Sequence, residues 1–148
     1  MGSFEILPHT ADAGFRAHGA SLAELFETAA RAMFSIEYDV SAVDVQEDRA
    51  VEAQADDPHD VGGLLEAWLS ELLWLHDATG FVPGEVSIRE IGLAADGSGV
   101  VRVAGSAAGR LLGDWFEQTG PQIKAVTLHG LDVHQADGHW EATVYLDV

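Results

Sequence analysis

Two stretches of helical periodicity, set in a chain that elsewhere alternates polar and apolar residues, most narrow what this sequence can fold into. Ser21 and Glu24 form a capping box, after which Leu22, Leu25, Phe26, Ala29, Ala30, Met33 and Phe34 recur at three- and four-residue steps. The spacing predicts an amphipathic helix over residues 22–36 with its apolar stripe in a core. Asp57-Pro58 reads as an N-cap with proline in the first turn, opening a longer helix in which Val61, Leu64, Leu65, Trp68, Leu69, Leu72 and Leu75 are spaced for burial. Gly62-Gly63 weakens its start and Thr79-Gly80 ends it. Trp68 and Trp74 lie about 600° apart round that helix, so Trp74 is expected to be only partly buried.

The remainder reads as strand. Ser3 to Leu7 alternates up to Pro8, and Phe15 and Ala17 alternate with Arg16 and His18 up to Gly19. Tyr38 to Asp48 is an acidic connection or sheet-edge excursion, and Arg49 to Gln54 resumes strand alternation. Val86, Ile88, Ile91 and Leu93 form a strand whose change of parity marks a bulge. Asp96-Gly97-Ser98-Gly99 is a hairpin signal from which Val100 to Ala104 runs back. Leu111, Leu112, Trp115 and Phe116 leave two readings, a short helix or a covering loop. Gln122 to His129 and Leu131 to Gln135 are strand broken at Gly130, followed by a turn at Ala136-Asp137-Gly138 and a last strand from His139 to Val148. In that strand Trp140, Ala142, Val144 and Leu146 face one side, and Glu141, Thr143, Tyr145 and Asp147 the other. The predicted fold class is therefore α+β, two long helices packed on one face of a mostly antiparallel β-sheet, in a single domain spanning residues 1–148.

Composition removes several function classes. The chain has no cysteine, so thiolate metal sites, disulfides and cysteine nucleophiles are excluded, and any metal must take oxygen or imidazole ligands. Asp and Glu number 25 against 7 for Lys and Arg, a formal charge of −18, and Lys124 is the sole lysine. Such a surface repels phosphate backbones, so no strong direct nucleic-acid binding is expected, and a basic protein partner suits it better. No apolar run approaches the roughly 18 residues of a membrane span, and no leader pattern opens the chain. A soluble, cytoplasmic protein with no membrane contact is the expectation.

The polar residues left unexplained by caps and turns are His9, Asp12, Lys124, His129, Asp147 and the carboxylate at Val148. His9-Thr10-Ala11-Asp12 is a tight polar interruption between two strands, and taken alone such a loop is an ordinary turn. If it meets the last strand, Asp12, Asp147 and Val148 supply oxygen-bearing groups for a hard cation such as calcium or magnesium. His9 and His129 could instead complete a transition-metal site. The serines lack a strained glycine-flanked elbow. His76-Asp77, in the last turn of the second helix, reads as a cap-region pair with the histidine favouring the negative end of the helix dipole.

Four blocks in order, His9-Thr10-Ala11-Asp12 with Gly14, the run Leu64 to Leu73, Lys124-Ala125-Val126-Thr127-Leu128-His129-Gly130-Leu131, and Leu146-Asp147-Val148, resemble the archease family over nearly the whole length. The sequence departs from the commonest pattern at Leu128, where an aromatic is frequent, and at Ser70, where asparagine is. Archeases are accessory proteins of the RtcB-type RNA ligase that joins cleaved tRNA exons, and they promote guanylylation and repeated turnover of that ligase. The resemblance implies a divalent-metal site, usually described with calcium, at Asp12, Asp147 and Val148, with no catalytic residue of the chain's own. His9, Lys124 and His129 then border the site or the partner. Two alternatives follow: a chaperone of an RNA-modifying enzyme such as a tRNA cytosine methyltransferase, and a metal-dependent phosphohydrolase using His9 or His129 as general acid or base.

Overall fold

The capping box forms as the sequence requires: in the computed structural model, which describes residues 2–7 and 13–148, the Glu24 N–H donates to Ser21 Oγ (3.1 Å) and Glu24 Oε1 accepts from the Ala20 N–H (2.9 Å). The first helix, α1, spans Leu22–Glu37 and buries Leu25, Phe26, Ala29, Ala30, Met33 and Phe34. The second, α2, spans Val61–Thr79. Its N-cap is Asp60 rather than Asp57, because Asp60 Oδ1 takes the Gly63 N–H at 2.7 Å while Asp57 is used one turn earlier, closing a turn on the N–H groups of His59 and Asp60. Trp68 is fully buried, its indole N–H on the Phe26 carbonyl, whereas Trp74 is 62% exposed, as its angular separation from Trp68 requires.

The described residues add seven strands: β1 Ser3–Leu7, β2 Ala13–Gly19, β3 Glu47–Gln54, β4 Phe81–Leu93, β5 Val100–Leu111, β6 Ala125–Ala136 and β7 His139–Asp147. All pairings are antiparallel, but the strands divide between two sheets, ordered β1-β2-β7-β6 and β3-β5-β4. The helices lie across the seam, α1 against β2 and β4, α2 against β3, β5 and β6. The fold class is α+β as expected, with two sheets where one was expected.

Irregularities fall at identifiable residues. The bulge anticipated in β4 lies between Ile88 and Glu90, and Pro83, which cannot donate to a ladder, sits on this edge strand beside another. Strand β5 runs seven residues past Ala104, because its Ala- and Gly-rich second half carries little strand preference of its own and is held as the central strand of its sheet. The segment after Leu111 is the covering loop, not a helix: Phe116 packs edge-on against Tyr38 at 5.4 Å between ring centroids. The acidic connection contains a short 3-10 turn, Val40–Ala42, and its last two residues, Glu47 and Asp48, already belong to β3. Asp137 and Gly138, both at positive φ, form the two-residue turn between β6 and β7.

One correction concerns His76. It does lie in the last turn of α2, but its side chain is buried and pairs with Glu37 across the core, Nε2 to Oε2 at 2.8 Å, while Nδ1 meets the Phe81 carbonyl at 2.9 Å. Glu37 Oε1 accepts the Ile123 N–H at 3.1 Å. Glu37 is 3% and His76 8% exposed. Burial disfavours both charges, yet the hydrogen bonds from His76 and Ile123, with the imidazolium charge, hold the Glu37 carboxyl below its ordinary value. For His76, burial is likewise outweighed by the hydrogen bonds to Glu37 and Phe81 and by the charges of Glu37 and Asp77, so its pKa is raised.

A raised His76 contributes stability that is complete below about pH 6.5 and lost as pH rises through its folded value. A lowered Glu37 contributes stability complete above about pH 4.5 and lost as pH falls through its folded value. Glu37→Gln should cost about 3–5 kcal/mol by urea unfolding at pH 6, with the gap to wild type narrowing on both sides of that window. Trp68→Ala should cost about 3–5 kcal/mol in the same assay, and Trp74→Ala less than about 0.5 kcal/mol.

Candidate functional site

Strand β7 has the phase read from its sequence: Ala142, Val144 and Leu146 are buried, and Glu141, Thr143, Tyr145 and Asp147 face outward. At its end Asp147 is exposed and pairs with Ala125 of β6, its carbonyl accepting the Lys124 N–H at 2.8 Å. Its carboxylate has no hydrogen-bond or ion-pair partner among the described residues. On the other side of β7, Ala13 pairs with Leu146. The residue that follows Asp12 in the chain is thus fixed one step before Asp147. His9 and Asp12 themselves lie outside the described residues.

The neighbouring row of this outward face explains two glycines of the resemblance. Gly14 of β2 and Thr127 of β6 flank Tyr145. A Cβ at Gly14 would stand 2.7 Å from the Tyr145 ring, and one at Gly130 would stand 2.9 Å from it. Both strands leave the ring its space by carrying no side chain there. Gly130 lies in the bulge between Thr127 and Asp132, at φ +73°. His129 is exposed in the same bulge, its N–H on Thr127 Oγ1 at 2.9 Å, so it belongs with the Tyr145 row and not with Asp147.

Lys124 is brought to Asp147 through its backbone, and its side chain lies at a groove of about 460 Å³ between α2 and the start of β6. Glu66, Ser70, Trp74 and Asp77 form the helical wall. Leu128, 67% exposed, stands further along β6. Burial, opposed by the His76 charge, pushes the Asp77 carboxyl above its usual range.

The donors fixed at this end, the Asp147 carboxylate and the exposed Val148, are oxygen groups free of an opposing cation among the described residues. Carboxylate oxygens are donors of the kind a hard divalent ion such as calcium takes, and Asp12, the other expected donor, lies outside the described residues.

Two groupings were not legible. The Glu37–His76 pair joins residues 39 apart in sequence, and neither lies in a motif. His18, His139 and Glu141 converge on the same outward face, at the far end of β7 from Asp147. Parity alone places each of them outward, but only the β2–β7 register, with His18 opposite Glu141, brings them together.

With the geometry in place, comparisons identify relatives along the whole chain. The profile of the Archease protein family (MTH1598/TM1083) matches residues 4–148. Protein archease of Methanothermobacter thermautotrophicus is 37% identical over 148 residues, covering all of both chains, and that of Thermococcus gammatolerans 35% over 149 residues, again covering all of both. The solution structure of Methanobacterium thermoautotrophicum protein 1598 superposes with a TM-score of 0.79 at 35% identity, over 98% of each chain. The crystal structure of an archease from Thermotoga maritima, described as a possible chaperone, shares the fold with a TM-score of 0.60 at 19% identity, over 96% of this chain and 94% of that one. Matched end to end by the family profile and by relatives above 30% identity, the chain belongs to the archease family.

Proposed function

We propose that this chain is a non-enzymatic, cytoplasmic activator of an RtcB-type tRNA ligase, acting in tRNA splicing and RNA repair by promoting the ligase's guanylylation and multiple turnover. The observation that carries the reading is the β2–β7 register, which pairs Ala13, the residue after Asp12 in sequence, with Leu146, the residue before Asp147. Asp12, Asp147 and the Val148 carboxylate would hold the divalent ion, calcium by the chemistry of the donors, and the ion would neutralise three carboxylates that otherwise repel one another. Lys124 and Trp74 line the adjoining groove and give the partner a cation and an aromatic anchor. His129, in the β6 bulge beside Tyr145, is offered to the partner rather than to the ion. The formal charge of −18 argues for contact with the protein partner and against the chain gripping RNA itself.

Activation requires differential binding: the chain can shift its partner toward a guanylylation-competent state only as far as it binds that state better, about 1.4 kcal/mol for each tenfold. A chaperone reading has one point in its favour, the description of the Thermotoga protein as a possible chaperone. It forecasts suppression of methyltransferase aggregation that is indifferent to GTP and to the Asp147 carboxylate. The phosphohydrolase reading, with His9 or His129 as general acid or base, requires turnover of cyclic-phosphate RNA ends or nucleotides by the chain without any ligase.

Asp147→Ala should abolish calcium binding in calorimetric titration and return the ligase's guanylylation rate to that of the ligase alone, as should a chelator added to wild type. Unchanged guanylylation kinetics in the variant would sink the assignment. Trp74→Ala should weaken ligase binding by about 2 kcal/mol, roughly thirtyfold in Kd, while leaving calcium binding intact.

A further inference from the structure

The outward face of the four-stranded sheet carries its own gathering of metal-competent side chains, at the opposite end of β7 from Asp147. His18 of β2 pairs directly with Glu141 of β7, and His139 stands two residues before Glu141 on the same strand, hence on the same face. Ligand atoms of the three side chains all lie within 4.8 Å of one another. His18 Nδ1 is 3.5 Å from Glu141 Oε2, and the two imidazole rings are 5.8 Å apart between centroids. Each of the three residues is half-buried, so the side chains are fixed by the sheet yet open to solvent.

We infer that His18, His139 and Glu141 form a binding site for a borderline divalent metal ion of the zinc class. Two imidazoles and one carboxylate are a donor set that zinc takes in tetrahedral geometry with a fourth position left for water or another ligand. Imidazole nitrogen discriminates against calcium and magnesium, which require several oxygens. The pairwise separations, none above 4.8 Å, need to contract by at most about 1.4 Å to reach the roughly 3.4 Å expected between ligands of a tetrahedral ion with bonds near 2.0–2.1 Å, a motion within the reach of side-chain torsions.

The surroundings orient this set. Glu141 Oε1 lies 3.5 Å from Arg16 Nε and 4.0 Å from His134 Nε2, which leaves Oε2 directed toward His18. His134 is in turn held by Asp132, Nδ1 to Oδ2 at 2.5 Å. A carboxylate–histidine arm thus backs the ligating carboxylate, the kind of outer support that conserves ligand orientation in metal sites. On the open side, His18 and His139 line a cavity of about 220 Å³ together with Ser3 and Glu24, giving the fourth position access to water or to an anionic or imidazole group of a partner. Asp147 lies six positions beyond Glu141 along β7, about 20 Å of extended strand, so the two sites do not share ligands.

The test uses untagged full-length chain and the metals alone. Zinc competed against a chromophoric chelator should bind at one equivalent per chain, cobalt(II) should give the intense visible absorption of a four-coordinate nitrogen/oxygen site, and excess calcium should displace neither. His139→Gln and His18→Gln should each weaken zinc by at least about a hundredfold with an unchanged circular dichroism spectrum, and Asp147→Ala should leave it unchanged. Cobalt absorption of an octahedral ion, stoichiometric zinc surviving in the His18→Gln/His139→Gln double variant, or zinc lost in Asp147→Ala would each overturn the proposal.

Discussion

The buried pair of Glu37 and His76 is the interaction on which the arrangement of this molecule depends. Its four hydrogen-bonded groups come from four places in the chain: the end of α1, the end of α2, the first residue of β4 and the loop that leads to β6. The Glu37 carbonyl adds two more bonds to that loop, from the N–H groups of Thr119 and Gly120. A buried ion pair of this kind is poor evidence of net stability, since desolvating two charges costs about as much as their attraction returns. Its consequence is specificity of arrangement, because neither charge can be left alone in the core. Tyr38, next in sequence to Glu37, extends the constraint by donating its buried hydroxyl to the Pro83 carbonyl at 2.7 Å.

That network also sets the position of the candidate site. Ile123 gives its N–H to Glu37, and the next residue, Lys124, gives its N–H to the Asp147 carbonyl. Two consecutive amides thus connect the charged core to the end of β7. The groove beside Lys124 is walled by the same α2 whose last turn supplies His76, so the proposed partner face and the core pair share one rigid element. An activator must present a defined surface if it is to prefer one state of its partner, and an over-determined helix end provides one.

Much of this was legible in the sequence, for physical reasons that differ by element. The stripe of α1 and its Ser21/Glu24 box are local, and the parity of β7 from Trp140 to Asp147 is a property of one strand. Such signals survive without tertiary knowledge. The extent of β5 was not legible, because alanine and glycine hold strand only where neighbours on both sides supply the ladder. The N-cap of α2 was misplaced because Asp57 and Asp60 are both competent and only the distance to Gly63 separates them. His76 was assigned to the helix dipole because its partner lies 39 residues away, and no local pattern announces a cross-core pair. For the site, Asp147 was placed by phase alone, whereas the gathering of His18, His139 and Glu141 required a register that single-strand alternation cannot supply.

The outward face of the four-stranded sheet then resolves into two ends with different coordination chemistry. Near Asp147 the donors are carboxylate oxygens. Near Glu141 two imidazoles join one carboxylate, with Arg16 holding the other oxygen of that carboxylate. Between them lie Thr143 and Tyr145, the latter seated over glycines on both neighbouring strands. Because the β2–β7 register runs unbroken from Ala13 and Leu146 to Gly19 and Trp140, and a one-residue slip would turn every side chain to the opposite face, the two ends are locked to a common frame. An ion bound at either end therefore meets donors whose relative positions the core has already fixed. On a chain of formal charge −18, each divalent ion would also relieve local repulsion, so coordination at one end bears on the field at the other only through a Debye length of about 8 Å, shorter than the strand between them. The two ends are mechanically joined and electrostatically nearly independent, so an ion at one, as proposed, would leave the donors at the other in place.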